Sequence, residues 1–173
     1  RFTVNPALNI GDYTEDLLLS TDFGYNEKLS IDLKVKKTAP SFAFDKSLYA
    51  KSMNVIGQIA VNGDISVNDE DLLVAYINNE VRGKTNLRYV PSLDKYIGFL
   101  DIYSNNADSI TFKVWNASEG ELHEDVTPNL YFVENSLVGS ILNPQIFNAV
   151  NNLAKPIVLN AGWNWVSFPL TDT

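Results

Sequence analysis

The residues best suited to chemistry lie between Asp64 and Asp71, in the run DISVNDED. Calcium takes roughly six to eight oxygen ligands in a flexible arrangement. Asp64, Asn68, Asp69 and Asp71 are the candidate ligands, with Ca2+ the candidate ion. The run lacks the ligand register, the glycine and the closing glutamate of an EF-hand loop. The alternative is a solvated acidic turn in which Asp69 or Asp71 bonds its own backbone. A second cluster is Glu80-Val-Arg82-Gly83. The planar fork of Arg82 suits a carboxylate, and a partner in the acidic loop would tie that loop to the sheet. Arg82 and Gly83 are therefore assigned a structural role, a ligand carboxylate or sugar hydroxyl being the rarer use.

The third set is aromatic. Sugars stack on exposed Trp or Tyr faces, with amides and carboxylates taking their hydroxyls. Trp115 beside Asn116, with Tyr89 and Tyr131, forms the candidate platform. Phe112 and Val114 share one parity of their strand, and Lys113 and Trp115 the other. Trp115 is thus expected on the less apolar face, although most aromatics of a β-sandwich belong to its core. His123 stands among Glu121, Glu124 and Asp125, as a solvated surface histidine would. The chain holds no Cys and no Gly-x-Ser-x-Gly, so neither a thiol nor an elbow-type serine nucleophile is available. Paired carboxylates for glycoside hydrolysis are spatial, and no pair stands out in the sequence. Asn116-Ala-Ser118 is a formal glycosylation sequon.

These side chains need a scaffold, and composition bounds what it is. The chain has 173 residues, 45% of them hydrophobic, which suffices for a core. Its net charge of −8 argues against nucleic acid and against anionic membranes. Disulfides are excluded, no run is apolar and long enough to span a bilayer, and no signal peptide is visible.

Short runs of alternating apolar and polar residues, separated by Asn, Asp, Gly and Ser, recur along the chain. Residues 1–38 read as strands FTVNP, EDLLLST and KLSIDLKVKK, with turns at NIGDY and FGYNEK. KTAPSF reads as a linker. Residues 41–152 read as the main unit, with turns at Asn62-Gly63-Asp64 and Asn78-Asn79. PQIFNAVNNLAK is a candidate short helix with poor caps. Residues 156–173 read as one more strand, with Trp163 and Trp165 on the same face. The expected fold class is all-β, Ig-like β-sandwich modules in tandem. The first unit looks like the tail of one module and the last strand like the opening of another. The alternative is that the terminal strands complete one sandwich.

The stretch FTVNPALNIGDYTEDLLLST with KLSIDLKVKK resembles the back half of Ig-like, BACON-like spacer modules of Bacteroidetes surface proteins. MNVIGQIAVNG, the acidic loop, AYINNEVRG and SITFKVWNASEG are similar to a second module of large proteins exported by the type IX route. LNAGWNWVSFPL looks like the opening strand of a further extracellular module. The resemblance implies an extracellular or cell-surface address and a non-catalytic stalk or adhesion role. Its partners would be neighbouring modules, glycans or surface proteins. The other function it suggests is a carbohydrate-binding module beside a polysaccharide-degrading enzyme.

Overall fold

The computed structural model describes residues 8–9 and 11–150. Period-two alternation makes strands, and the described residues hold thirteen of them and no α-helix. The first two, β1 (Gly11–Ser20) and β2 (Asn26–Val35), pair only with each other, as an antiparallel ribbon. The NIGDY segment, expected as a turn, runs into this ribbon: Gly11, Asp12 and Tyr13 lie within β1. FTVNP falls outside the described residues.

The other eleven strands build one sheet that curls on itself. They are β3 (Lys51–Val61), β4 (Asp64–Ile65), β5 (Leu72–Ile77), β6 (Glu80–Val90), β7 (Lys95–Ser104) and β8 (Ser109–Asn116), then β9 (Glu121–His123), β10 (Val126–Thr127), β11 (Leu130–Tyr131), β12 (Leu137–Val138) and β13 (Gln145–Ala149). The spatial order is β10-β13-β3-β7-β6-β5-β8-β11, and β10 also packs against β8, so the sheet is a nearly closed barrel. The Asn turns fall where the sequence placed them. Asn78 and Asn79 have φ of 51° and 62°, joining β5 to β6, and Asn62 and Gly63 have 52° and 92°, joining β3 to β4. Paired positive φ values match the twist of a tight hairpin, and Asn and Gly adopt them at least cost.

β6 is the corner of the barrel. Its first half pairs with β5 and its last four residues, Leu87 to Val90, with β7. A bulge lies at the start of the bend: Tyr76 opposes Val81 and Ala75 opposes Gly83, leaving Arg82 as the extra residue. Gly83 lets the strands converge there, since a Cβ on it would stand 2.2 Å from the Asp101 carbonyl oxygen of β7.

The core fills the barrel with Met53, Val55 and Ile59 of β3, Leu100 and Ile102 of β7, Leu73 and Ile77 of β5, and Phe112 and Val114 of β8. Phe147 of β13 completes it, its ring 4.4 Å from that of Phe112. Of the helix expected over PQIFNAVNNLAK, Gln145–Ala149 is thus a strand, and NNLAK lies outside the described residues. Ile146, Phe147 and Val150 mimic helical spacing, but β13 runs parallel to β3 from Gly57–Gln145 to Val61–Ala149.

A second, smaller cluster lies outside the barrel wall. Leu72 and Val74 face outward from β5, and Trp115 and Ala117 lie beside them. Ala39 and Phe42 cover them, so the KTAPSF segment is a strap and not a free linker. Burying a side chain the size of Phe42 contributes about 1.5–3 kcal/mol. This strap makes β5 apolar on both faces, and LLVAYI reads accordingly as a continuous apolar run.

Candidate functional site

The acidic run between β3 and β5 folds back over one end of the barrel. Asp71 is buried, at 3% exposure. Its Oδ1 accepts the Ala117 backbone N–H at 2.8 Å, and its Oδ2 accepts the Ser66 hydroxyl at 2.6 Å. Its carbonyl accepts the Leu87 N–H at 3.2 Å. One residue thus joins the loop, the β8–β9 turn and the bend of β6. Asn68 works beside it. Its Oδ1 accepts the Glu70 N–H at 3.0 Å, and its Nδ2 donates to the Ser118 hydroxyl at 3.0 Å. On the facing turn Asn116 Oδ1 accepts the N–H groups of Ser118 and Glu119, at 3.0 and 3.2 Å. The two loops border a cleft of about 310 Å³ lined by Asn62, Asp64, Ser66, Asn68, Asn116 and Glu119 among others.

Of the four candidate calcium ligands, Asp71 and Asn68 are thus engaged within the protein, while Asp69 is exposed and Asp64 begins the exposed strand β4. Among the described residues no group of three or more His, Asp or Glu side chains converges as a metal site.

Arg82 has different partners from those expected. It lies near the Tyr76 end of β5, whereas the acidic loop joins β5 at Leu72. Nη1 is 2.9 Å from Glu80 Oε2, also bonds the Tyr49 hydroxyl, and the guanidinium stands 4.2 Å over the Tyr49 ring. The bulge aims Arg82 out of the ladder and onto the segment leading into β3. Its Nε is buried without a partner. The loop is tied to the sheet instead by Asp71 and by Asn86, whose Nδ2 donates to the Glu70 carbonyl at 3.3 Å. Gly83 stands at the corner, where the Asp101 carbonyl leaves no room for a Cβ.

The aromatic platform does not assemble. Trp115 is on the outer face, as its parity indicated, but the strap leaves it 5% exposed, so its ring offers no free stacking surface. Asn116 is buried in its turn. Tyr131 pairs with Ser109, at the opposite end of β8 from Trp115, about 20 Å away at the rise of a strand. Tyr89 is half-exposed on β6, its ring 5.1 Å from that of Tyr96 and its hydroxyl 2.8 Å from Asp94 Oδ1. The Asp94 hydrogen bond and charge raise the Tyr89 pKa above its ordinary value.

His123 is a further correction, being buried at 5% rather than solvated. It opposes Val114 in the ladder, which turns it inward. Its Nε2 lies 3.6 Å from Glu119 Oε2 and makes no hydrogen bond. The outer face carries one more polar group: Lys113 pairs with Glu124 and lies 5.2 Å from the Tyr76 ring. Burial raises the Tyr76 pKa, with Lys113 opposing. Sequence reasoning missed Tyr49 and Ser66, whose roles come from contacts with no local signature.

Among the described residues no helix is long and apolar enough to cross a membrane. Compared with known proteins, the chain matches no family model, no curated protein and no solved structure.

Proposed function

We propose that the chain is a non-catalytic spacer of a larger exported or surface-attached bacterial protein, built of tandem Ig-like β-sandwich modules. It holds neighbouring modules of the same polypeptide apart and presents them to glycans or surface proteins. The observation that carries this reading is the clamp at the end of the barrel. Asp71, one of the four candidate ligands, directs both carboxylate oxygens to groups of its own chain. Asn68 and Asn116 do likewise. Polar chemistry at this end joins loops to one another, as a spacer requires where it meets the next segment. The net charge of −8 and the absence of cysteine suit a solvated extracellular segment that needs no oxidative maturation.

The test compares the native chain with Asp71→Ala in thermal unfolding and on a glycan array, each in calcium and in EDTA. The spacer reading expects the substitution to cost about 1–3 kcal/mol, because Ser66 and the Ala117 N–H lose a buried acceptor. It expects that cost to be the same in calcium and EDTA, and no glycan to be retained. Calcium-dependent glycan binding that Asp71→Ala abolishes would overturn the reading and restore the acidic loop as a ligand site.

A further inference from the structure

The register of the ribbon sorts its residues cleanly. Leu17 opposes Leu29, Glu15 opposes Ile31, Tyr13 opposes Leu33 and Gly11 opposes Val35, so all odd-numbered residues share one face. That face carries Tyr13, Leu17, Leu29, Ile31, Leu33 and Val35. The other face is polar apart from the exposed Leu18: Thr14 donates to Asp32 at 2.8 Å, Ser30 to Asp16 at 2.6 Å, and Lys28 lies 2.6 Å from Asp16. A two-stranded ribbon with one apolar face is marginal until that face is covered. Among the described residues none of the ribbon belongs to either core cluster; Leu19 and Leu29 are 47% and 49% exposed, and Tyr13, Leu17, Ile31, Leu33 and Val35 are only half-buried.

The route of the chain indicates what covers it. Ala149 accepts the Asn62 N–H through its carbonyl, and Asn148 Oδ1 accepts that of Gly63. The described residues therefore end beside the β3–β4 turn. That turn shares one cleft with Asn68 and Ser118. Asn68 and Ser118 share the next cleft, about 550 Å³, with Gly11, Asp12 and residues 34–36 at the base of the ribbon. Lys36 pairs with Glu70 across it. The chain thus leaves the barrel at the end where the ribbon stands. Residues 151–156 span up to about 20 Å when extended. Beyond them, residues 157–168 carry no charge and place Ile157, Leu159, Ala161, Trp163 and Trp165 on one parity. The length of that segment suits strands of ten residues.

We propose that the apolar face of the ribbon is the docking surface for residues 157–168 of this same chain. This gives the segment a partner within the chain in place of a following module, and it goes beyond the spacer reading without depending on it. A second copy of the ribbon is a poorer occupant. Glu15 and Glu27 share the apolar face, and two ribbons face to face would bring four carboxylates into one interface. Residues 157–168 carry no charge and bring no further carboxylate to that face.

Hydrogen exchange of the full chain, compared with Trp163→Asp/Trp165→Asp, tests the proposal. The expected result is that amides of β1 and β2 exchange at least about tenfold faster in the variant while those of β3 and β7 are unchanged. Equal ribbon exchange in both proteins would overturn it. So would ribbon protection that rises with protein concentration, which would identify a second copy as the occupant. Where the double variant unfolds throughout, Leu17→Asp/Ile31→Asp is read instead by tryptophan emission, Trp115 serving as a constant buried background. A red shift supports docking of Trp163 and Trp165, and unchanged emission refutes it.

Discussion

The barrel and the ribbon are written in the same period-two alphabet, yet only the barrel is a finished object. In the barrel the inner face of β5 meets Phe112 and Val114 of β8 within one core, and its outer face meets Phe42 of the strap. In the ribbon a largely apolar face, interrupted by Glu15 and Glu27, meets nothing among the described residues that belongs to a core. The polar sides differ as well. In the barrel polar side chains also reach backbone groups of distant loops, as Asp71 does with Ala117. The ribbon pairs its polar side chains with one another, as Asp16 does with Lys28 and Ser30. Alternation therefore specifies a strand, and closure specifies a domain.

The largest effect that would sharpen this contrast is Phe147→Ala. Phe147 is fully buried against Phe112, and its loss should cost about 3–5 kcal/mol of barrel stability, read by chemical denaturation. Leu29→Ala, on the half-exposed ribbon face, should cost well under half of that. Equal costs would dissolve the distinction between the two regions. Next comes Gly83→Ala. The new methyl would stand against the Asp101 carbonyl, so β6 must withdraw from the corner at a cost of roughly 1–3 kcal/mol. Stability unchanged by that substitution would mean that the corner does not depend on close approach.

The smallest effect is one of pH. Lys28 first, and then Ser30, hold the Asp16 carboxyl below its ordinary value in the ribbon. A depressed folded value stabilises above the unfolded carboxylate range, near about 3.9, and that contribution is lost as pH falls through the folded value. Amide resonances of β1 and β2 should therefore broaden or shift below about pH 4 before those of β3 and β7. Simultaneous changes in both regions would show that the ribbon has no separate acid response.

Much of the barrel was legible. The Asn78-Asn79 and Asn62-Gly63 turns, and the strands β3, β5, β6, β7 and β8, follow from local pattern and turn chemistry. What was illegible depends on pairing at a distance. β13 looked helical because its apolar spacing is ambiguous, and only its alignment with β3 decides the matter. Trp115 stood on the expected face, but no local rule foretold that Phe42 would cover it. Arg82 was expected to reach the acidic loop, but the bulge sets which end of β5 it faces, and it meets Glu80 and Tyr49 instead. The candidate site was legible in its residues and not in their use: Asp71 and Asn68 do gather in one loop, yet their bonds run to their own backbone and to the facing turn.

The parallel alignment of β13 with β3 has a consequence for the order in which the protein is made. β3 is near the start of the barrel's sequence and β13 at its end, and Gly57 finds Gln145 only after every intervening strand has been synthesised. Contacts so distant along the chain form late and slowly. A nascent barrel therefore waits with one flank of β3 open and with Phe112 missing its aromatic neighbour. During that interval the exposed edge invites pairing with other chains.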